Sequence, residues 1–71
     1  MFFEINENTY ILVENISAVS LQKENGKFYW LFYTNHPSPI KSMYFETKEE
    51  AIVWFRNLKY DFYRKKNENE L

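Results

Sequence analysis

The sequence predicts an α+β domain: an antiparallel sheet of four to five strands with one C-terminal helix packed on one face. Three observations lead there. Between Lys27 and Thr34 the chain reads Phe28, Tyr29, Trp30, Leu31, Phe32, Tyr33, six large apolar or aromatic residues in a row, which suits a strand covered on both faces. Shorter runs rich in β-branched residues and tyrosine flank it, separated by polar turn residues. The last third of the chain changes to a helical period behind a Thr47-x-x-Glu50 capping box.

Residues 2–5 form the first expected strand, with Phe3 and Ile5 on one face and Phe2 and Glu4 on the other. Asn6, Glu7 and Asn8 make a hairpin turn, since asparagine tolerates left-handed backbone angles. Residues 9–13 are the second strand, interrupted by Glu14 and Asn15. Residues 16–22 are the third; Val19 and Leu21 point one way, Ser20 and Gln22 the other, so one side of this strand meets water. Asn25-Gly26 is the strongest turn signal in the chain, because both residues readily adopt the positive φ angles of a tight hairpin.

In the central strand, Phe28, Trp30 and Phe32 share one face and Tyr29, Leu31 and Tyr33 the other. Pro37 and Pro39 end it in a rigid loop. Residues 40–45 follow as a strand whose strict alternation groups Ile40, Ser42 and Tyr44 against Lys41, Met43 and Phe45. The helix then begins at Thr47. Glu49 and Glu50 near its start and Arg64, Lys65 and Lys66 near its end complement the helix dipole. Its apolar stripe is Ala51, Phe55, Leu58 and Phe62, flanked by Ile52 and Trp54. Residues 1–66 are read as a single domain, and residues 67–71 as a frayed tail with nothing to pack.

Composition narrows the function classes. A chain of 71 residues buries only about 60% of its unfolded surface, so its core is thin. It holds no cysteine and one histidine, which leaves neither a disulfide framework nor a structural zinc set. Stability must come from packing, or from packing plus self-association. Seven Phe, six Tyr and two Trp exceed what one helix on one sheet needs. Nine basic against ten acidic residues give a net charge of −1, so no global field draws the chain to nucleic acid or acidic lipid. With neither a basic leader nor an apolar run of membrane-spanning length, the expectation is a cytoplasmic protein. The richness in Asn, Lys, Glu and Ile is the bias of an AT-rich genome and points to a bacterium or phage.

Catalysis is not expected. His36 lies between Asn35 and Pro37 in a loop and reads as a solvated histidine, and a single glycine cannot build a phosphate loop. Adjacent Glu49 and Glu50 point apart on a helix, as dipole partners rather than an acid/base pair. No catalytic residue, cofactor, metal or small-molecule substrate follows from these residues.

Two binding classes remain. The first is a protein interface on the second sheet face, with Tyr29, Leu31, Tyr33 and Tyr44 as its residues and a homodimer as the expected assembly. A helix covers one sheet face, so the other face needs a partner. The alternative is a strongly coiled sheet whose own strands close over both sides. The second class is single-stranded nucleic acid, bound through helix cations interleaved with tyrosines: Arg56, Lys59, Tyr60, Tyr63 and Arg64. An inhibitor of phage type that blocks a host enzyme by its surface is compatible with the same features.

Leu12, Val13, Glu14, Asn15 and Ile16, then Val19, Ser20 and Leu21, followed by a hairpin, an aromatic strand and a helix, resemble a pattern in small uncharacterised bacterial and phage proteins, where a kink at Asn-Ile separates two strands. The resemblance implies a strand-rich sheet with a terminal helix and brings no activity with it. The layout of strands followed by a helix is also shared by one class of single-stranded-DNA binders, although no residue motif matches theirs.

Overall fold

The computed structural model describes residues 1–69, with side chains through Tyr60. Five strands precede one helix: β1 (Phe2–Asn6), β2 (Thr9–Leu12), β3 (Ala18–Glu24), β4 (Lys27–Tyr33), β5 (Ile40–Lys41) and α1 (Lys48–Asn69). The expected α+β class holds, with all strand pairs antiparallel. The strands divide, however, into a two-stranded sheet, β1-β2, and a three-stranded sheet in the order β3-β4-β5. The expected single sheet of four to five strands is corrected accordingly.

The division has a local cause in residues 40–45. β5 pairs regularly with β4 over only two residues, Lys41 with Leu31 and Ile40 with Phe32. Phe28 then pairs with Phe45, which leaves one extra residue on the later strand, a bulge. At the change of register the Trp30 amide donates to the Ser42 hydroxyl at 2.8 Å while the Ser42 amide donates to the Trp30 carbonyl at 2.9 Å. The serine side chain thus stands in for a ladder carbonyl and is buried with its hydroxyl satisfied. On the other side of this segment, Met43 N donates to Ile5 O and Asn6 Nδ2 to Lys41 O, which seat β1 against it without a regular ladder.

The bulge also overturns the expected faces. Phe45 turns inward to lie 5.3 Å from Trp54, and Tyr44 turns outward beside Tyr29, the reverse of strict alternation from Ile40.

Elsewhere local chemistry has the expected result. Asn25 (φ 52°) and Gly26 (φ 79°) form the tight turn between β3 and β4, whose register runs unbroken from Glu24–Lys27 to Ala18–Tyr33. Glu14 and Asn15 end β2 in a single 3₁₀ turn, Val13–Asn15. Thr47 Oγ1 accepts from the Glu50 amide at 3.1 Å and caps α1. The helix continues beyond Lys66 to Asn69; of the tail expected over 67–71, residues 70 and 71 lie outside the described residues.

One core joins both sheets to the helix. Ile5, Ile11 and Phe32 form its buried centre, with Val19, Trp30, Ile40, Trp54, Phe55 and Leu58 packed around them. The helix therefore covers the Phe28, Trp30, Phe32 face of β4. Trp30 stacks on Phe55 at 4.6 Å, Phe32 meets Trp54 edge-on at 6.1 Å, and Trp30 Nε1 donates to the Ala51 carbonyl at 2.9 Å. Phe62, expected in the same stripe, lies outside the residues with described side chains.

Replacing Trp30 with Phe removes the indole donor and part of the stacked area at this junction, so it should lower unfolding free energy by about 1–2 kcal/mol. Urea denaturation followed by far-UV circular dichroism measures the loss. Phe32→Ala, at the buried centre, should cost about 3–5 kcal/mol and abolish cooperative unfolding in so small a domain.

Candidate functional site

Because α1 takes the Trp30 face, alternation delivers Tyr29, Leu31 and Tyr33 to the opposite, outer face of β4. β3 contributes Ala18, Ser20 and Gln22 directly across from them, and β5 contributes Lys41 across from Leu31. The bulge adds Tyr44. All four expected interface residues therefore meet on one surface.

They do not share one environment. Tyr33 and Tyr44 are 38% and 47% exposed, and Leu31 is half-buried. Tyr29 is only 8% exposed, because Tyr44 packs edge-on against it at 5.3 Å and the Lys41 ammonium lies 4.8 Å above its ring. It supports the surface from beneath and presents little area of its own.

A polar relay runs across this patch. Lys41 Nζ donates to Tyr44 Oη at 3.5 Å, the Tyr44 hydroxyl donates to Glu24 Oε1 at 3.3 Å, and Lys41 lies 3.8 Å from Glu24 Oε2. The hydrogen bond to Tyr44, then the Glu24 carboxylate, hold the Lys41 ammonium above the ordinary lysine value. Both signs of charge and two hydroxyl-bearing rings thus sit within one small area, suited to a surface that is apolar in its body and polar at its tips.

Two further exposed rings were absent from the expected interface. Phe2 and Tyr10, on the outer face of β1-β2, are 66% and 62% exposed, and the Tyr10 hydroxyl donates to Glu4 Oε2 at 2.9 Å. The signal was present in the alternation of β1, which sets Phe2 with Glu4 away from Ile5.

The expected nucleic-acid residues lie elsewhere. Arg56, Lys59 and Tyr60 are exposed on α1, which packs on the opposite side of β4 from the outer tyrosines, so sheet rings and helix cations do not form one groove. Tyr63 and Arg64 lie outside the residues with described side chains. Two of the strand-side cations have acidic partners, Lys41 with Glu24 and Lys27 with Glu46 at 3.3 Å. His36 is exposed and bonded within its own loop, its amide to Thr34 Oγ1 and its ring to the Ser38 amide. No helix among the described residues is long and apolar enough to cross a membrane.

The raised lysine value carries a sign. A group whose folded value is raised contributes its full share below the unfolded value, 10.5 here, and loses it as pH rises through the folded one. The stability of the unmodified chain should thus fall more steeply than that of Lys41→Met as pH rises above 10.5, read as urea midpoints.

Comparison with protein-family models, with curated proteins and with solved structures gave no match, so any functional reading rests on the geometry of this surface.

Proposed function

We propose that the chain is a non-catalytic protein-binding module, cytoplasmic, that associates with a second copy of itself through the outer face of the three-stranded sheet. One observation carries the reading: α1 covers a single face of β4, and Leu31, Tyr33 and Tyr44 lie on the other with no element among the described residues laid over them. Tyrosines of this kind serve interfaces well, since their rings bury area while their hydroxyls stay hydrogen-bonded.

The charge pattern favours a second copy as the occupant. Lys41 and Glu24 neighbour each other on the patch, so a two-fold axis through the face can bring the lysine of one copy to the glutamate of the other. A face of single sign would repel its own image. Burying this surface would also supplement a core whose fully buried large side chains, among the described residues, are Phe32 and Ile5.

Sedimentation at micromolar concentration should give a mass near twice 8.8 kDa. Tyr33→Glu should weaken association by at least roughly tenfold while leaving the circular dichroism spectrum intact. An unmodified chain that stays monomeric at that concentration counts against the proposal. So does a Tyr33→Glu variant that unfolds, since the face would then belong to the core.

A further inference from the structure

We infer that the free edge of β3 is a second, self-complementary contact, along which two copies join antiparallel to make one continuous six-stranded sheet. β3 is the outermost strand of its sheet, seven residues long, without proline and without a bulge. Natural edge strands are usually shortened, bulged, kinked by proline or heavily charged, because their unpaired backbone groups recruit other strands. The edge at β2 follows that rule: it is four residues long, belongs to a hairpin with an irregular register, and ends in a 3₁₀ turn. β3 carries only Lys23 and Glu24, both at its end.

The direction of its backbone groups can be traced from named bonds. Phe28 and Trp30 exchange hydrogen bonds with Phe45 and Ser42, so these residues of β4 address the β5 side. Tyr29, Leu31 and Tyr33 therefore address β3, as the bond from Ser17 N to Tyr33 O also requires. Their register partners Gln22, Ser20 and Ala18 are thereby consumed within the sheet. The N–H and C=O groups of Val19, Leu21 and Lys23 point outward, and among the described residues they meet no protein partner.

These three residues are symmetric about Leu21. In an antiparallel pairing centred there, Leu21 of one copy faces Leu21 of the other and Val19 faces Lys23, so every outward donor and acceptor of both edges is bonded. The side chains agree with that register. On the helix side Leu21 meets Leu21, and on the outer side Ser20 meets Gln22 and Ala18 meets Glu24. No like charges stand directly opposite; a parallel alignment in equal register would set Lys23 beside Lys23 and Glu24 beside Glu24. The occupant that fits this edge is a second copy of the chain.

This contact goes beyond the face-to-face association proposed above and is compatible with it. Its two-fold axis stands perpendicular to the sheet, whereas the axis of a face contact runs parallel to the sheets, between them; where the two axes intersect they generate a closed tetramer. Backbone bonds exchanged against water contribute modestly, so the edge contact should be the weaker of the two, forming at roughly 0.5 mM.

The test uses the full chain carrying Tyr33→Glu together with Leu31→Glu, two charges that empty the face contact throughout the range in which the edge contact forms. Raising its concentration should double the sedimenting mass and slow hydrogen exchange at the amides of Val19, Leu21 and Lys23 by at least roughly tenfold, leaving Ser20 and Gln22 unchanged. Lys23→Pro, which deletes an outward N–H and no bond to β4, should abolish both effects while keeping the circular dichroism spectrum. A variant that stays monomeric across that range overturns the inference, as does a dimer in which those three amides exchange as freely as in the monomer. Should the doubly substituted chain or Lys23→Pro fail to fold, the concentration dependence of the same amides in the unmodified chain decides: protection at Val19, Leu21 and Lys23 supports the edge contact, and its absence overturns it. Failure of the face contact has a separate signature, an unmodified chain that is monomeric at micromolar concentration.

Discussion

The arrangement of this molecule depends on how Trp30 is held. Its indole stacks on Phe55 at 4.6 Å and donates to the Ala51 carbonyl in the first turns of α1, while its backbone is paired to Ser42. One residue therefore connects the central strand, the later strand and the helix. The stack orients the helix and the hydrogen bond limits how far it can slide, since moving away leaves a part-buried indole N–H without an acceptor. Once that side of β4 is chosen as the inner one, the pleat assigns every other residue of the strand.

Several features follow from this choice. Ile5 and Ile11 reach the same core from β1 and β2, so the small hairpin is held by apolar packing and by isolated backbone bonds more than by a shared ladder. Tyr29, Leu31 and Tyr33 are sent outward, where polar neighbours dress them: Ser20 and Gln22 from β3, and Lys41 from β5. The outer surface is accordingly neither a bare apolar patch nor an ordinary wet face. Tyr29 is packed down by Lys41 and Tyr44, and Tyr33 and Tyr44 remain accessible around it.

Much of this was legible residue by residue. Asn25-Gly26 announces its turn because few other pairs adopt two positive φ angles without strain, and Thr47 announces the helix start because its hydroxyl supplies an acceptor to an amide that would otherwise lack one. The alternation of Val19, Leu21 against Ser20, Gln22 places the first pair across from Phe32 and Trp30 and the second across from Leu31 and Tyr29, though all four are half-buried, so the side expected to meet water does so only in part. The stretch from Ile40 to Phe45 was misread, because period-two alternation assumes an unbroken ladder. Ser42 breaks it by offering its side-chain oxygen where the partner strand expects a carbonyl, and a hydroxyl that competes with the backbone leaves no mark on a hydrophobicity pattern.

The amino-acid sequence alone determined the order of strands and helix, the tight turn, the helix start and the grouping of the β4 residues by face, because each depends on torsional preference or on neighbours a few positions away. Only the tertiary structure decided which face of β4 the helix takes, where the sheet divides and that Tyr44 joins Tyr29 on the outside. Those outcomes turn on contacts between residues twelve to twenty-five positions apart, such as Trp30 with Ser42, Ala51 and Phe55, whose geometry no local pattern encodes.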